Sequence, residues 1–453
     1  MTSCAAPPEL SGTGTSMRRG ACPSLAAPMQ TGDGLLVRLR PAADGLTPAE
    51  VKALAGAAAA CGSGIIEITA RGNLQIRGLT AASVSSLAAA VGEARIAVAE
   101  GVAIETPPLA GFDPGEIADP RPLAQALRAA ISGARALRLA PKLSIIVDGG
   151  GRFHLQDMIA DLRLSAIVRD KSVFWLLSIG GTARSATPIA LLKAREAVAA
   201  VMDVLAELNA LGPAARGRDL DADRLRQLWP SDMDLPPAGD GGRPLPPAGI
   251  HAFGGASIVL GLGLAFAQTD ADNLTAFIRQ AEELGASEIR LAPRHGLFVL
   301  GLSSEAAALA QHLAYANGFL VSCDDPRNHI ATCAGLACAS ALMDTKATAA
   351  LMVEEAPDLL DGSLIVHLSG CRKGCARPAA SPLTLVGAPS GYALVVNGTA
   401  SVAPSAYRDE TGIGSALAAL NGLVRQNKDA GESALSCLTR LGTARIAQAF
   451  EQG

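Results

Sequence analysis

The stretch GSGIIEITARGNLQIRGL, residues 62–79, decides the fold, because the chain writes it again as GASEIRLAPRHGLFVLGL at residues 285–302. Without gaps, Gly62 falls on Gly285, Ile66 on Ile289, Arg71 on Arg294, Leu74 on Leu297, and Gly78 and Leu79 on Gly301 and Leu302. Apolar residues alternate on either side of the central arginine, the pattern of two strands joined by a short turn. Upstream the likeness continues: LLVRL (35–39) and IVLGL (258–262) read as strands, each followed by a helical stretch, 47–61 and 270–284. Thr47 and Asp270 suit the N-cap, and Pro48 suits the first helical turn. Strand, helix, strand, strand is half of a ferredoxin-like α+β sheet, so the chain is expected to carry two such halves.

Further out, a second unit follows each half. LSIIVDGG (143–150) resembles LIVHLSGC (364–371), the same strand and glycine loop, but only the later copy has cysteines. Those cysteines form two close pairs, TCAGLAC at 332–338 and SGCRKGC at 369–375. A 4Fe–4S cluster needs four thiolates arranged tetrahedrally, and two glycine-bearing loops brought together supply Cys333, Cys338, Cys371 and Cys375. A structural zinc site shows tighter spacings, and a disulfide framework does not suit a large intracellular chain. The other cysteines (Cys4, Cys22, Cys61, Cys323 and Cys437) are scattered and expected to be reduced.

Composition narrows the function. At 453 residues the chain is expected to hold more than one core. Aromatics are 3% and the formal net charge is −4, which argues against stacking platforms and against an electrostatic footprint for nucleic acid. No run of eighteen apolar residues predicts a membrane span, and Arg18 and Arg19 lack the apolar stretch an export signal needs. The expectation is a soluble, cytoplasmic protein with no nucleic-acid or membrane partner. Ala-rich stretches 188–211 and 415–426 read as helices over the sheets, with Thr187 before Pro188 repeating the cap-then-proline start. The expected organisation is a tail (1–30), a first ferredoxin-like half-domain (31–100), a first cluster-type domain without cysteines (101–211), a Pro-, Gly- and Asp-rich linker (212–249), a second half-domain (250–320) and a 4Fe–4S domain (321–453).

A duplicated half-sheet with paired cysteines only in its second copy resembles the sulfite/nitrite reductase family. The motifs RRGACPSL (18–25), PMQTGDGLLVR (28–38), TARGNLQIR (69–77), APK (140–142) and VDGG (147–150) are most similar to its precorrin-3B synthase branch. The resemblance runs from about residue 20 onward. It implies an α+β fold of duplicated ferredoxin-like half-domains plus two α/β domains of iron–sulfur and tetrapyrrole type, in pseudo-twofold symmetry. It also implies an oxygen-dependent monooxygenase of aerobic cobalamin biosynthesis, which hydroxylates precorrin-3A and closes a lactone. The implied equipment is O2, the 4Fe–4S cluster, a mononuclear non-haem iron and an external electron donor, a separate reductase or ferredoxin. Reductases bind sirohaem and place one residue more between the first two cluster cysteines than the four that separate Cys333 and Cys338. By the same resemblance, Cys375 corresponds to the cysteine that bridges cluster and sirohaem iron, so its position is expected to face tetrapyrrole or iron. A sirohaem-dependent sulfite or nitrite reductase is the second reading. A non-enzymatic iron–sulfur tetrapyrrole sensor is the third, and it would want an output domain.

A substrate with many carboxylate arms calls for cations around a broad cleft, and the planar fork of Arg binds a carboxylate bidentately. Arg71, Arg77, Lys142 and Arg294 are expected to converge on those arms, with Asn73 and Gln75 hydrogen-bonding the same rim. Arg372, Lys373 and Arg377 surround the second cysteine pair as candidate substrate residues, and Arg372 and Lys373 also suit the anionic cluster. The six histidines (His154, His251, His295, His312, His329 and His367) form no tight motif, so ligands of a mononuclear iron are not assigned. His367, on the apolar strand before Cys371, reads as a satisfied core histidine. Residues 32–34 (GDG) resemble a phosphate loop only superficially: no Walker pattern or dinucleotide fingerprint follows a strand, and no nucleotide site is expected.

Overall fold

The computed structural model describes residues 23–229, 234–235, 244–254, 257–377 and 379–453. The tail 1–17, Cys4, Cys22 and residues 18–22 of the opening motif lie outside them. Four five-stranded sheets organise the chain. The first runs Met29–Thr31, Gly34–Leu39, Leu74–Leu79, Ile65–Ile68 and then Gln268–Asp270, a strand contributed from the second half of the sequence. The second runs Gly249–Ala252, Ile258–Leu264, Gly296–Leu300 and Glu288–Ala292, with Phe319–Leu320 also on Ile258–Leu264.

Both quoted stretches form the expected hairpins. Their turns need left-handed backbone, met by Gly72 (φ 78°) in the first and by Arg294 and His295 (φ 61° each) in the second. The helix Pro48–Cys61 starts with a full capping box between Thr47 and Glu50, and Asp270 caps Ala271–Glu283 through the amide of Asn273. Strand exchange, an isolated bridge between Leu46 and Ile289, and one apolar core containing Leu54, Ile76, Leu262, Phe277 and Val299 join the two halves.

The third sheet runs Ala103–Glu105, Ser144–Asp148, Leu162–Arg169, Ser172–Ile179 and Thr187–Leu192. The fourth runs Ile330–Thr332, Val366–Ser369, Ser381–Ala388, Gly391–Gly398 and Ala406–Arg408. Each has three parallel strands followed by two antiparallel ones. Helices Arg121–Gly133 and Ala194–Leu211 cover one face of the third sheet, and Thr345–Glu355, Ile413–Asn427 and Ala434–Gln452 cover one face of the fourth.

Two sequence readings are corrected. Residues 188–211 are not one helix: Thr187–Leu192 is a strand, and the helix begins after Lys193. Pro188 has no N–H to give, and it sits where that costs nothing, on an edge strand beside a register shift opposite Ser178. The supposed linker begins as ordered structure, with a 3-10 turn at Gly217–Asp219 and a helix at Ala222–Leu228. Arg216 there grips Asp161 through two hydrogen bonds of 2.8 Å. Among the described residues no helix is long and apolar enough to cross a membrane.

Candidate functional site

The site is built at the ends of two parallel strands. Ile330–Thr332 pairs with Val366–Ser369 in register Thr332 to Leu368, so both chains leave the sheet at the same end, one into Cys333 and the other into Cys371. Parallel pairing thus brings together cysteines 38 residues apart (371 − 333) that the sequence only suggests are partners. The Gly370 amide donates to Cys333 Sγ at 3.2 Å, and a Cβ on Gly370 would lie 2.8 Å from that of Ala341. Thr345 Oγ1 donates to the Cys333 carbonyl at 3.2 Å, placing the start of helix Thr345–Glu355 against the first cysteine loop. The second loop is tied by Ser369 Oγ, which donates to the Cys371 carbonyl at 2.7 Å.

The first half-domain closes over this end. Ala339 donates to the Gly32 carbonyl at 2.9 Å, and a Cβ on Gly32 would stand 2.1 Å from Cys338 Sγ. Only glycine allows that approach. Next to it, Asp33 is clasped by Arg77 through two bonds of 2.8 Å, and Arg77 also reaches Glu67 at 3.2 Å. Gln75 is buried in the same network, accepting from Arg38 and donating to Glu67 at 2.6 Å. Arg77 holds Asp33 below the usual carboxylate range against the opposing effect of burial.

All seven described cysteines are free thiols. Cys375 is the exposed corner of the four, and Cys333, Cys338 and Cys371 are partly buried. Although Cys375 meets solvent, its thiol pKa is raised, first by desolvation and then by Cys371, Cys333 and Cys338, with Arg77 pulling the other way. The three neighbouring sulfurs oppose ionisation of Cys375, and a cationic guest would favour it. The donor set is all sulfur and therefore fits an iron–sulfur group. Among the described residues, no three His, Cys, Asp or Glu side chains are gathered to hold a single metal ion.

The expected substrate residues fall into separate places. Arg71 donates to Glu105 Oε1 at 2.8 Å, pairs also with Glu105 Oε2, and donates to the Ile159 carbonyl at 3.0 Å. With Asn73, Arg40 and Arg128 it lines a cavity of about 160 Å³ between the half-domains and the third sheet. Arg294 pairs with Asp157 at 2.8 Å, donates to the Pro244 carbonyl at 3.1 Å, and lines a smaller cavity of about 60 Å³. Lys142 is exposed before the strand Ser144–Asp148 and lines neither cavity. Arg372 donates to the Ser401 carbonyl at 2.6 Å and Lys373 to Ser340 Oγ at 3.2 Å, both beside the cysteines.

The reading of His367 as a satisfied core histidine is corrected. It is fully buried, yet among the described residues neither ring nitrogen has a hydrogen-bond partner. Sequence reasoning also missed Gly32 and Asp33. The signal was present in GDG, a tight hairpin turn permitting close approach, but nothing in the sequence names Cys338 as what it approaches.

The nitrite/sulfite reductase ferredoxin-like half-domain model matches residues 27–94. The chain is 60% identical over 457 residues to the precorrin-3B synthase of Sinorhizobium sp, covering 100% of this chain and 99% of that protein. It is 25% identical over 182 residues to the sulfite reductase (NADPH) hemoprotein beta-component of Shewanella loihica, covering 37% of this chain and 32% of that one. Among solved structures, the NirA protein of Mycobacterium tuberculosis superposes with a TM-score of 0.65 at 16% identity, over 91% of this chain and 84% of that chain. The last likeness shows the fold, α+β with four sheets.

Proposed function

The chain belongs to the precorrin-3B synthase family, an oxidoreductase family of cobalamin biosynthesis, and from that premise we propose how its residues divide the work. The substrate is precorrin-3A, hydroxylated with O2 and closed to a lactone, the second oxygen atom leaving as water with two electrons and two protons. The electrons come from a separate reductase or ferredoxin in the cytoplasm. The four sheets are two copies of one module in pseudo-twofold relation, with a half-domain and a larger sheet in each copy.

The observation that carries the site assignment is the convergence of Cys333, Cys338, Cys371 and Cys375 at one end of two parallel strands. These four residues hold a 4Fe–4S cluster, which supplies single electrons when bound. The Gly370 amide steadies the Cys333 sulfur, and Thr345 fixes the carbonyl behind it. Arg372 and Lys373 bring positive charge to the same edge, suited to an anionic cluster or to substrate carboxylates.

The cavity beside Arg71 and Asn73 is far smaller than a macrocycle and suits a single acetate or propionate arm. Arg71 would bind that arm by exchanging Glu105 for the substrate carboxylate. Arg294 stands ready for the same exchange at Asp157, and Lys142 for an arm outside both cavities. Gln75 and Arg77 are committed to Glu67 and Asp33, and serve the rim by positioning rather than by contact. Arg377 lies behind the second cysteine loop. A mononuclear non-haem iron completes the equipment the family implies, and no ligand set is assigned to it.

The test is a visible spectrum of anaerobically purified protein together with acid–acetone extraction. Broad iron–sulfur absorption without extractable sirohaem is the expected result. Stoichiometric sirohaem would replace this reading with the reductase one, which the partial identity to a sulfite reductase keeps as the alternative.

A further inference from the structure

His367 lies in the middle of the strand Val366–Ser369, four residues before Cys371, with no exposed surface. A neutral imidazole carries one N–H donor and one acceptor nitrogen, and both are normally satisfied when buried. Here neither has a partner among the described residues. Thr384, opposite it on the next strand, spends its hydroxyl on the Gly398 carbonyl at 3.2 Å. Ser369, on the same face, spends its own on Cys371. Burial and the charge of Arg377 push the His367 pKa down to about 4, so the ring is neutral at physiological pH.

Position relates this orphaned ring to the cysteines. Above it lies the turn between Cys371 and Cys375: a Cβ on Gly374 would be 3.6 Å from His367 Cε1. The duplicated sheet supplies an independent observation. In the alignment of LSIIVDGG with LIVHLSGC, His367 falls on Ile146. Ile146 is also fully buried, but it packs in an apolar cluster with Leu155 and Ala160. The same place in the sheet is apolar where the loop has no cysteines and carries an unpartnered imidazole where it has two.

We propose that His367 is a hydrogen-bond donor to the iron–sulfur group held by the four cysteines, giving its N–H to a sulfur atom from the sheet side of the Cys371–Cys375 loop. This rests on the cluster reading above. An N–H directed at a cluster sulfur stabilises the more electron-rich, reduced state and so raises the reduction potential. His367 therefore sets how readily the cluster takes an electron.

The experiment uses the full chain purified anaerobically, with iron and acid-labile sulfide measured first. EPR-monitored redox titration then compares wild type with His367→Phe and His367→Gln. The expected result is a lower potential in His367→Phe at unchanged iron content, with the amide donor of His367→Gln restoring part of the shift. An unchanged potential in a fully loaded His367→Phe overturns the inference and leaves the cluster reading standing. Absence of iron and sulfide from wild type overturns both. Should His367→Phe fail to fold, wild type labelled with imidazole-15N histidine decides the matter. A 15N coupling to the reduced cluster that persists in His329→Gln supports the inference, and no coupling overturns it.

Discussion

The third and fourth sheets share one strand order, yet the loops at their strand ends are held in different ways. In the cysteine-free sheet the polypeptide ties its own loop. Buried Asp148 accepts from the amides of Gly150 at 3.0 Å and Leu155 at 2.8 Å, and buried Arg163 donates to the carbonyls of Leu155 and Met158. Ile146, Leu155 and Ala160 fill the space beneath. Among the described residues, Arg163 Nε and Gln156 Oε1 are left unpartnered there. In the cysteine-bearing sheet the loop leans on a cysteine sulfur through Gly370, and among the described residues the His367 ring, Arg377 Nε, Thr332 Oγ1 and Ser381 Oγ are left unpartnered. One loop is closed by a buried carboxylate and guanidinium, and the other turns on a cysteine sulfur.

The comparison breaks most sharply at a proposed cluster ligand. Cys371→Ser should reduce iron and acid-labile sulfide to background and abolish hydroxylation while far-ultraviolet circular dichroism stays near that of wild type. Retained cluster would show that Cys371 is not a ligand.

In the other sheet the largest effect is structural. Asp161 accepts from Arg216 and from the amides of Ser144 and Gly217, and those partners hold its pKa low against burial. Asp161→Ala strands the partners and should cost about 3 kcal/mol, the scale for breaking a buried pair, lowering the denaturant midpoint without lowering iron per folded molecule. Because the folded pKa is depressed, the wild-type contribution is present above the ordinary Asp pKa and lost as pH falls through the folded value.

Gly32→Ala probes the closure of the first half-domain on the cysteines. The added methyl would collide with Cys338 Sγ, a strain of about 1–3 kcal/mol, and should appear as faster cluster loss in air. Gly133→Ala, where a Cβ meets nothing within 4 Å, is the matched control.

The smallest effect lies at the glycine loop of the cysteine-free sheet. Glu116 bridges to Gly150, and burial raises its pKa from 4.5 to about 7. A carboxyl raised on folding lowers stability as pH climbs from 4.5 to 7. Glu116→Gln should remove that slope and stabilise the protein at pH 8 by about 1 kcal/mol, after allowance for solvent screening. An unchanged pH profile of the thermal midpoint would show that Glu116 ionises normally.

Much of this was legible in advance. Alternating apolar residues gave both hairpins, Thr47 and Asp270 announced their helices, and the two cysteine pairs marked the loops proposed as the site, because each signal is local and survives without the rest of the chain. Residues 187–192 were misread because an Ala- and Leu-rich run after Thr-Pro suits a helix start equally well. Pairing with Ser172–Ile179 decided it, a tertiary override of local preference. The cationic rim was legible only as residue types. That Arg71 meets Glu105, Arg294 meets Asp157 and Arg77 meets Asp33 depends on segments 34, 137 and 44 positions away.

By itself the sequence determined the internal repeat, the strand and helix periods, and which of the similar stretches carries thiols, since periodicity and residue chemistry are properties of neighbours along the chain. Only the tertiary structure decided that the first half-domain closes on Cys338 through Gly32, and that His367 is an unpartnered ring beneath the cysteine loop. Hydrogen-bond satisfaction and close approach are set by what the folded sheet brings alongside, and no local pattern records them.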